Sequence, residues 1–249
     1  MTNHQHLHVV KHHPAACDEC RLRSHCMPDH LEGELAAYVM ARLRPLPPVP
    51  RGTYLFRQGA PMTSYYFVRS GSAKSVVFEH GGRESVMSFL FPSDLIGTAS
   101  LHQPTYQDAV VTLERSSFCE LRANDLHALL SRDTPALEQF LDKIVGRITT
   151  ERHARVRLEH SSADERVADF LLELSDRFGA LGRDPLALYL TMSRYDIANY
   201  VGLAPETVSR VLRRFSDREL LTVRHKELTL RDPARLRIIS LGEAQPENP

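Results

Sequence analysis

Tryptophan is absent from this chain of 249 residues, cysteine occurs only four times, and 31 Lys and Arg are matched by 31 Asp and Glu, a formal net charge of zero. Each shortage excludes something. Four cysteines are too few for a disulfide scaffold of this length, and 42% hydrophobic residues are too many for a disordered chain. Balanced charge gives no bulk attraction to nucleic acid or to a membrane surface, so any basic face must be local. No run of about 18 apolar residues occurs, which argues against a helical membrane span. The beginning, MTNHQHLHVVKHH, lacks the charged-then-apolar order of a signal peptide. The expected location is the cytosol, where cysteines stay thiols and act as ligands or redox groups.

The chain falls into segments. Residues 1–30 are a polar lead rich in His and Cys, followed by an amphipathic segment, Leu31 to Leu43, with Leu35, Val39 and Leu43 at helical spacing. Pro45, Pro47, Pro48 and Pro50 then break any helix. From Arg51 to about Arg122 the period changes. Thr53–Arg57, Tyr65–Arg69, Ala73–Glu79, Glu84–Leu90, Ala109–Leu113 and Ser117–Leu121 are short β-branched and aromatic runs, separated by turn signals such as Gly52, Gly59, Ser70-Gly71 and Gly81-Gly82. Many short strands with glycine turns predict an antiparallel sandwich or barrel, here a domain over 31–124.

A helical stretch over 125–160 follows, with Pro135 early in it. Leu137, Leu141, Ile144, Ile148, Glu151, Arg155 and Leu158 step four and three residues apart, a heptad seam. A helix packed on its own β-domain would also give apolar positions, but the seam is narrow and flanked by polar residues, which favours a parallel helix pair in a homodimer. Glu151 interrupts the seam. Two such carboxylates brought together cost on the order of a kcal/mol or more, which makes the dimer marginal, unless Glu151 pairs with Arg152 or Arg155. Residues 161–242 predict a last domain: a helix over Ala163–Phe178, two further short helices, and a closing hairpin of Leu220–Val223 and Leu228–Leu230. The tail over 243–249 is expected to fray.

Arg194 to Arg213 reads RYDIANYVGLAPETVSRVLR. A helix-turn-helix needs a small residue where two helices touch, a glycine in the turn and apolar anchors on the second helix. Ala198, Gly202, Val208 and Val211 fall in those places; Ser193 with Asp196 forms a capping box, and Pro205 suits the first turn of the second helix. That helix would present Glu206, Ser209 and Arg210 on one face, with Arg213 and Arg214 a turn further on. Arg can hold guanine O6 and N7, Glu can accept from cytosine N4, and the later arginines, with Arg224 and Lys226 of the hairpin, can meet phosphates. The segment predicts binding of double-stranded DNA.

Cys17-x2-Cys20-x5-Cys26 lacks a fourth ligand, and Cys119 is the remaining cysteine. Four thiolates suit a structural zinc or a [4Fe–4S] cluster. A thiol-redox enzyme using Cys17 and Cys20 is the rival from another class, but its C-x2-C lacks a βαβ setting, and no Ser/His/Asp set or P-loop is visible.

The order of β-roll, long dimer helix and C-terminal winged helix-turn-helix, an α+β architecture, resembles the cyclic-AMP receptor protein superfamily over nearly the whole chain. CDECRLRSHC with the lone Cys119, and the Glu206-Thr-Val-Ser209-Arg210 segment, resemble its FNR branch, the fumarate and nitrate reduction regulators. The resemblance implies an oxygen sensor that is no enzyme, holding a [4Fe–4S] cluster on Cys17, Cys20, Cys26 and Cys119. It also implies a TTGAT-type palindromic site, RNA polymerase as a partner, and Ile148 and Glu151 as the dimer switch. Cyclic-nucleotide binders of the superfamily carry a Gly-Glu pair and then an Arg-Ser or Arg-Thr pair. Here Ile96-Gly97-Thr98-Ala99 and Tyr106-Gln107-Asp108-Ala109 stand in that region, so a cyclic nucleotide is not expected.

Overall fold

The computed structural model describes residues 33–79, 81–132, eight positions between 134 and 145, and 161–242. Cys17, Cys20, Cys26, Ile148 and Glu151 lie outside the described residues. The chain divides into two compact units, Met1–Gly146 and Arg147–Pro249.

In the first unit, helix α1 (Gly33–Arg42) leads into β1 (Arg44–Pro45), β2 (Tyr54–Phe56), β3 (Ser64–Ser70), β4 (Ala73–Phe78), β5 (Glu84–Leu90), β6 (Leu95–Ile96), β7 (Ala109–Thr112) and β8 (Ser117–Arg122), then helix α2 (Ala123–Leu130). Two four-stranded antiparallel sheets result, ordered β1-β8-β3-β6 and β2-β7-β4-β5. All six expected strands are present. The two-residue strands β1 and β6 were not expected; two residues are too few to show a period.

Strand β3 shows how one sequence serves two cores. Tyr66 and Val68 point into the roll beside Phe56, Tyr106 and Phe118. Their neighbours Tyr65 and Phe67 point outward, where Val39 of α1, Leu43 just after it, and Leu126 and Leu129 of α2 cover them. Alternation along the strand therefore yields an apolar run buried on both faces. Gly71 sets the tight turn out of β3. Its φ is +82°, and a Cβ there would lie 2.3 Å from Ser116 Oγ and 2.6 Å from the Arg115 carbonyl oxygen.

The stretch expected as one helix over 125–160 is not one. Helix α2 begins at Ala123 and stops at Leu130, and Ser131 and Arg132 form a turn ahead of Pro135, where the chain cannot continue a helix without losing a backbone bond. The described positions between 134 and 145 are helical. Phe140 and Ile144 pack on the outer core of their own unit, whereas Leu137, Leu141 and Val145 are 36%, 45% and 58% exposed. The exposed apolar stripe thus runs through Val145, and Ile144, expected on the seam, faces inward instead.

In the second unit α3 (Ala163–Ala180) precedes β9 (Ala187–Tyr189), α4 (Arg194–Val201), α5 (Pro205–Asp217), β10 (Leu221–Arg224), β11 (Glu227–Leu230) and α6 (Pro233–Ser240). The hairpin was expected to close the domain, but it does not. Its strand β11 also pairs with β9, Leu228 opposite both Val223 and Leu188, and α6 follows and packs on α3. Asp232 caps α6 by accepting from the Arg235 amide at 2.9 Å, with Pro233 at its first position.

Candidate nucleic-acid interface and metal ligands

Helices α4 and α5 form the expected helix-turn-helix. The Ser193 hydroxyl oxygen accepts from the Asp196 amide at 3.1 Å, and the Asp196 carboxylate accepts from the Ser193 amide at 2.9 Å, so two of the orphan donors of α4 are satisfied reciprocally. Gly202 ends α4 at φ +66°, the left-handed conformation that glycine adopts most readily, and Pro205 opens α5. Ala198, Val208 and Val211 are buried.

Burying that side of α5 leaves the other to solvent. Glu206, Ser209, Arg210, Arg213 and Arg214 are all exposed. Arg210 Nη2 donates to Thr207 Oγ1 at 3.1 Å, one turn back along the helix, and Ser209 Oγ donates to the Pro205 carbonyl at 3.0 Å. Arg214 forms an ion pair with Asp164 of α3. Sequence patterning missed that partner and also Arg166, whose Nη1 donates to the carbonyl oxygens of Val201 and Gly202 at 3.4 and 3.3 Å. No local signal could find either, because the partners lie 50, 35 and 36 residues away.

Of the four cysteines, Cys119 is described. It is half-buried on β8, opposite Pro45 of β1 and Phe67 of β3, and packs against the outer core that contains Val39, Leu43 and Phe140. No group of three or more His, Cys, Asp or Glu able to hold a metal exists among the described residues. The donor set still suits an iron–sulfur cluster. Cys26 precedes α1 by seven residues, a reach of about 25 Å when extended, and α1 lies over the sheet face that carries Cys119.

Tyr106 and Asp108 belong to the segment that stands where cyclic-nucleotide binders carry their Arg-Ser or Arg-Thr pair. The Tyr106 ring stacks on Phe56 with centroids 3.7 Å apart, and its hydroxyl donates to the Ser64 carbonyl at 2.7 Å. The buried Asp108 carboxylate accepts from Ser75 Oγ at 2.5 Å. Beside the roll, the His102 and His127 rings stack 5.0 Å apart, and His127 Nε2 shares a hydrogen bond with the Tyr65 hydroxyl at 3.1 Å. Burial, then Tyr106, pushes the Tyr65 hydroxyl up to about 12, while burial, then His102, holds His127 below its ordinary value.

No helix among the described residues is long and apolar enough to cross a membrane. Residues 47–133 match the cyclic nucleotide-binding domain, and residues 165–239 match the Crp-like helix-turn-helix domain. The chain is 36% identical over 238 residues to the transcriptional activator protein Anr of Pseudomonas protegens, covering 94% of this chain and 96% of that protein. It is 31% identical over 220 residues to the fumarate and nitrate reduction regulatory protein of Vibrio cholerae, covering 88% of each. Among solved structures, FixK2 from Bradyrhizobium japonicum shares the fold, with a TM-score of 0.73 at 24% identity over 82% of this chain and 98% of that one. The chain therefore belongs to the CRP/FNR superfamily, as a DNA-binding transcription regulator and not an enzyme.

Proposed function

We propose that this regulator responds to oxygen from the cytosol: Cys17, Cys20, Cys26 and Cys119 hold a [4Fe–4S] cluster, and that ligation favours the homodimer that reads a palindromic TTGAT-type site to control anaerobic gene expression. The observation that carries the proposal is the position of Cys119. Its thiol packs against one apolar core shared by α1, which follows the other three cysteines in the chain, and by Phe140 and Ile144, which belong to the helix with the exposed stripe. When bound, such a cluster supplies an oxygen-labile link among four thiolates.

The chain's own residues do the rest. α1, which follows the cysteine-bearing segment in the chain, packs over Tyr65 and Phe67 through Val39. Leu137, Leu141 and Val145 offer an apolar stripe to a second copy, and by sequence Ile148 and Glu151 continue it, with the paired Glu151 carboxylates keeping association marginal. Two subunits place two α5 helices about one DNA turn apart. Glu206, Ser209 and Arg210 then read base edges, and Arg213, with Arg224 and Lys226 of the hairpin, meets phosphates. Exposed loops contact RNA polymerase. The buried Asp108 carboxylate would repel a phosphate, which supports an effector other than a cyclic nucleotide.

Purification without air tests the proposal. It predicts brown protein with ~4 iron and ~4 sulfide per chain. Colourless protein with about one zinc per chain would replace the cluster by a structural metal.

A further inference from the structure

The first turn of α3 touches the turn of the helix-turn-helix and the far end of its second helix. Arg166 works at the turn between α4 and α5. Its Nε donates to the Ser161 carbonyl at 2.9 Å, while its Nη1 donates to the carbonyl oxygens of Val201 and Gly202. Those carbonyls close the C-terminal end of α4, where the helix dipole favours a cation. Asp164 works at the far end of α5, where it takes the guanidinium of Arg214. Two residues apart on one turn, Asp164 and Arg166 hold α5 at its last turn and just before its first. The same turn directly follows Ser161, where the chain enters this unit's described part.

Arg213 and Arg214 are both exposed, yet they differ. Arg214 carries a carboxylate partner from another helix, whereas no ion pair involving Arg213 occurs among the described residues. A guanidinium engaged by Asp164 must give up that partner to meet a phosphate, and Arg213 need not.

We propose that Asp164 and Arg166 are positioning residues that set the recognition helix against the chain entering α3, and that Arg214 serves as the partner of Asp164 and not as a phosphate contact. The proposal rests on α5 being the groove helix. It gives the second unit a device by which a displacement of residues 161–166 moves α4, the turn and α5 together.

The test is a set of full-length, air-free variants binding a palindromic duplex across a range of salt concentrations. Asp164→Asn and Arg214→Ala should each weaken binding by roughly two- to five-fold, the range of one exposed ion pair. The double variant should lose no more than either alone, Asp164→Glu should restore binding, and the salt dependence should keep its slope. Arg213→Ala should instead lower that slope by about one. Arg166→Gln should weaken binding while leaving the dimer fraction, read by sedimentation, unchanged. Overturning results are a slope lowered by Arg214→Ala, additive losses in the double variant, or Asp164→Asn binding like the parent. If Arg210→Ala and Arg213→Ala also bind like the parent, the groove-helix assignment itself has failed.

Discussion

Cys119 stands opposite Pro45, so the strand that carries the thiol is paired with the segment that leaves α1. This register joins a residue near the middle of the chain to the end of the helix that follows the N-terminal cysteines. A ligand shared by both would tie them across the edge strand β1 without demanding a change in the sheet. Cys119→Ala should therefore abolish iron binding in air-free protein and leave the fold intact, since only a half-buried sulfur is removed. Iron analysis with far-ultraviolet circular dichroism checks both halves, and retained iron would show that another residue supplies the fourth ligand.

Arg210 is held by Thr207 one turn back, which limits the conformations it must give up on binding. Arg210→Ala should cost ~1–3 kcal/mol at one guanine of the half-site. Binding to duplexes altered at each position locates the loss. An equal loss on every sequence would make Arg210 a phosphate contact.

His127 ties acidity to the stability of the first unit. Its folded value is depressed, by burial first and then by His102, so the imidazole is carried neutral. As pH falls through the ordinary value of about 6.5, the unfolded chain takes up this proton before the folded one does. The contribution is complete above that value and is lost as pH falls toward the folded one. His127→Gln should lessen the drop in melting temperature between about pH 7.5 and 5.5. An identical drop would assign the acid sensitivity to other groups.

Gly71 admits no side chain. At φ +82° with Ser116 and Arg115 against it, Gly71→Ala should destabilise the β-roll by about 1–3 kcal/mol from backbone strain, and by more from the clash. Urea unfolding followed by tyrosine fluorescence measures this, and a change below about 0.5 kcal/mol would show that the Ser116 loop yields freely.

The strands of the roll were legible because turn residues punctuate them and because Tyr65 to Val68 is too apolar for a loop. The helix-turn-helix was legible because Ser193, Asp196, Gly202 and Pro205 each have one local role, and each occupies it. Elements fixed by tertiary pairing were not: β9 offers three residues with one buried, and β1 and β6 offer two each. Helix α6 was missed although Asp232-Pro233, a cap followed by a first-turn proline, signals its start. The break after Leu130 was foreshadowed by Pro135, and the inward turn of Ile144 by nothing in the heptad, which cannot tell a partner's surface from the chain's own. Arg166 and Asp164 act over long sequence separations, beyond any local pattern.

The central claim is that ligation by four cysteines decides whether two chains stay together. The most direct measurement is sedimentation of air-free protein with the palindromic duplex, repeated on the same sample after exposure to air, with iron determined in each. The account predicts an iron-loaded, duplex-bound dimer before exposure and an iron-depleted monomer without duplex afterwards. Iron-free protein that still sediments as a duplex-bound dimer would contradict it.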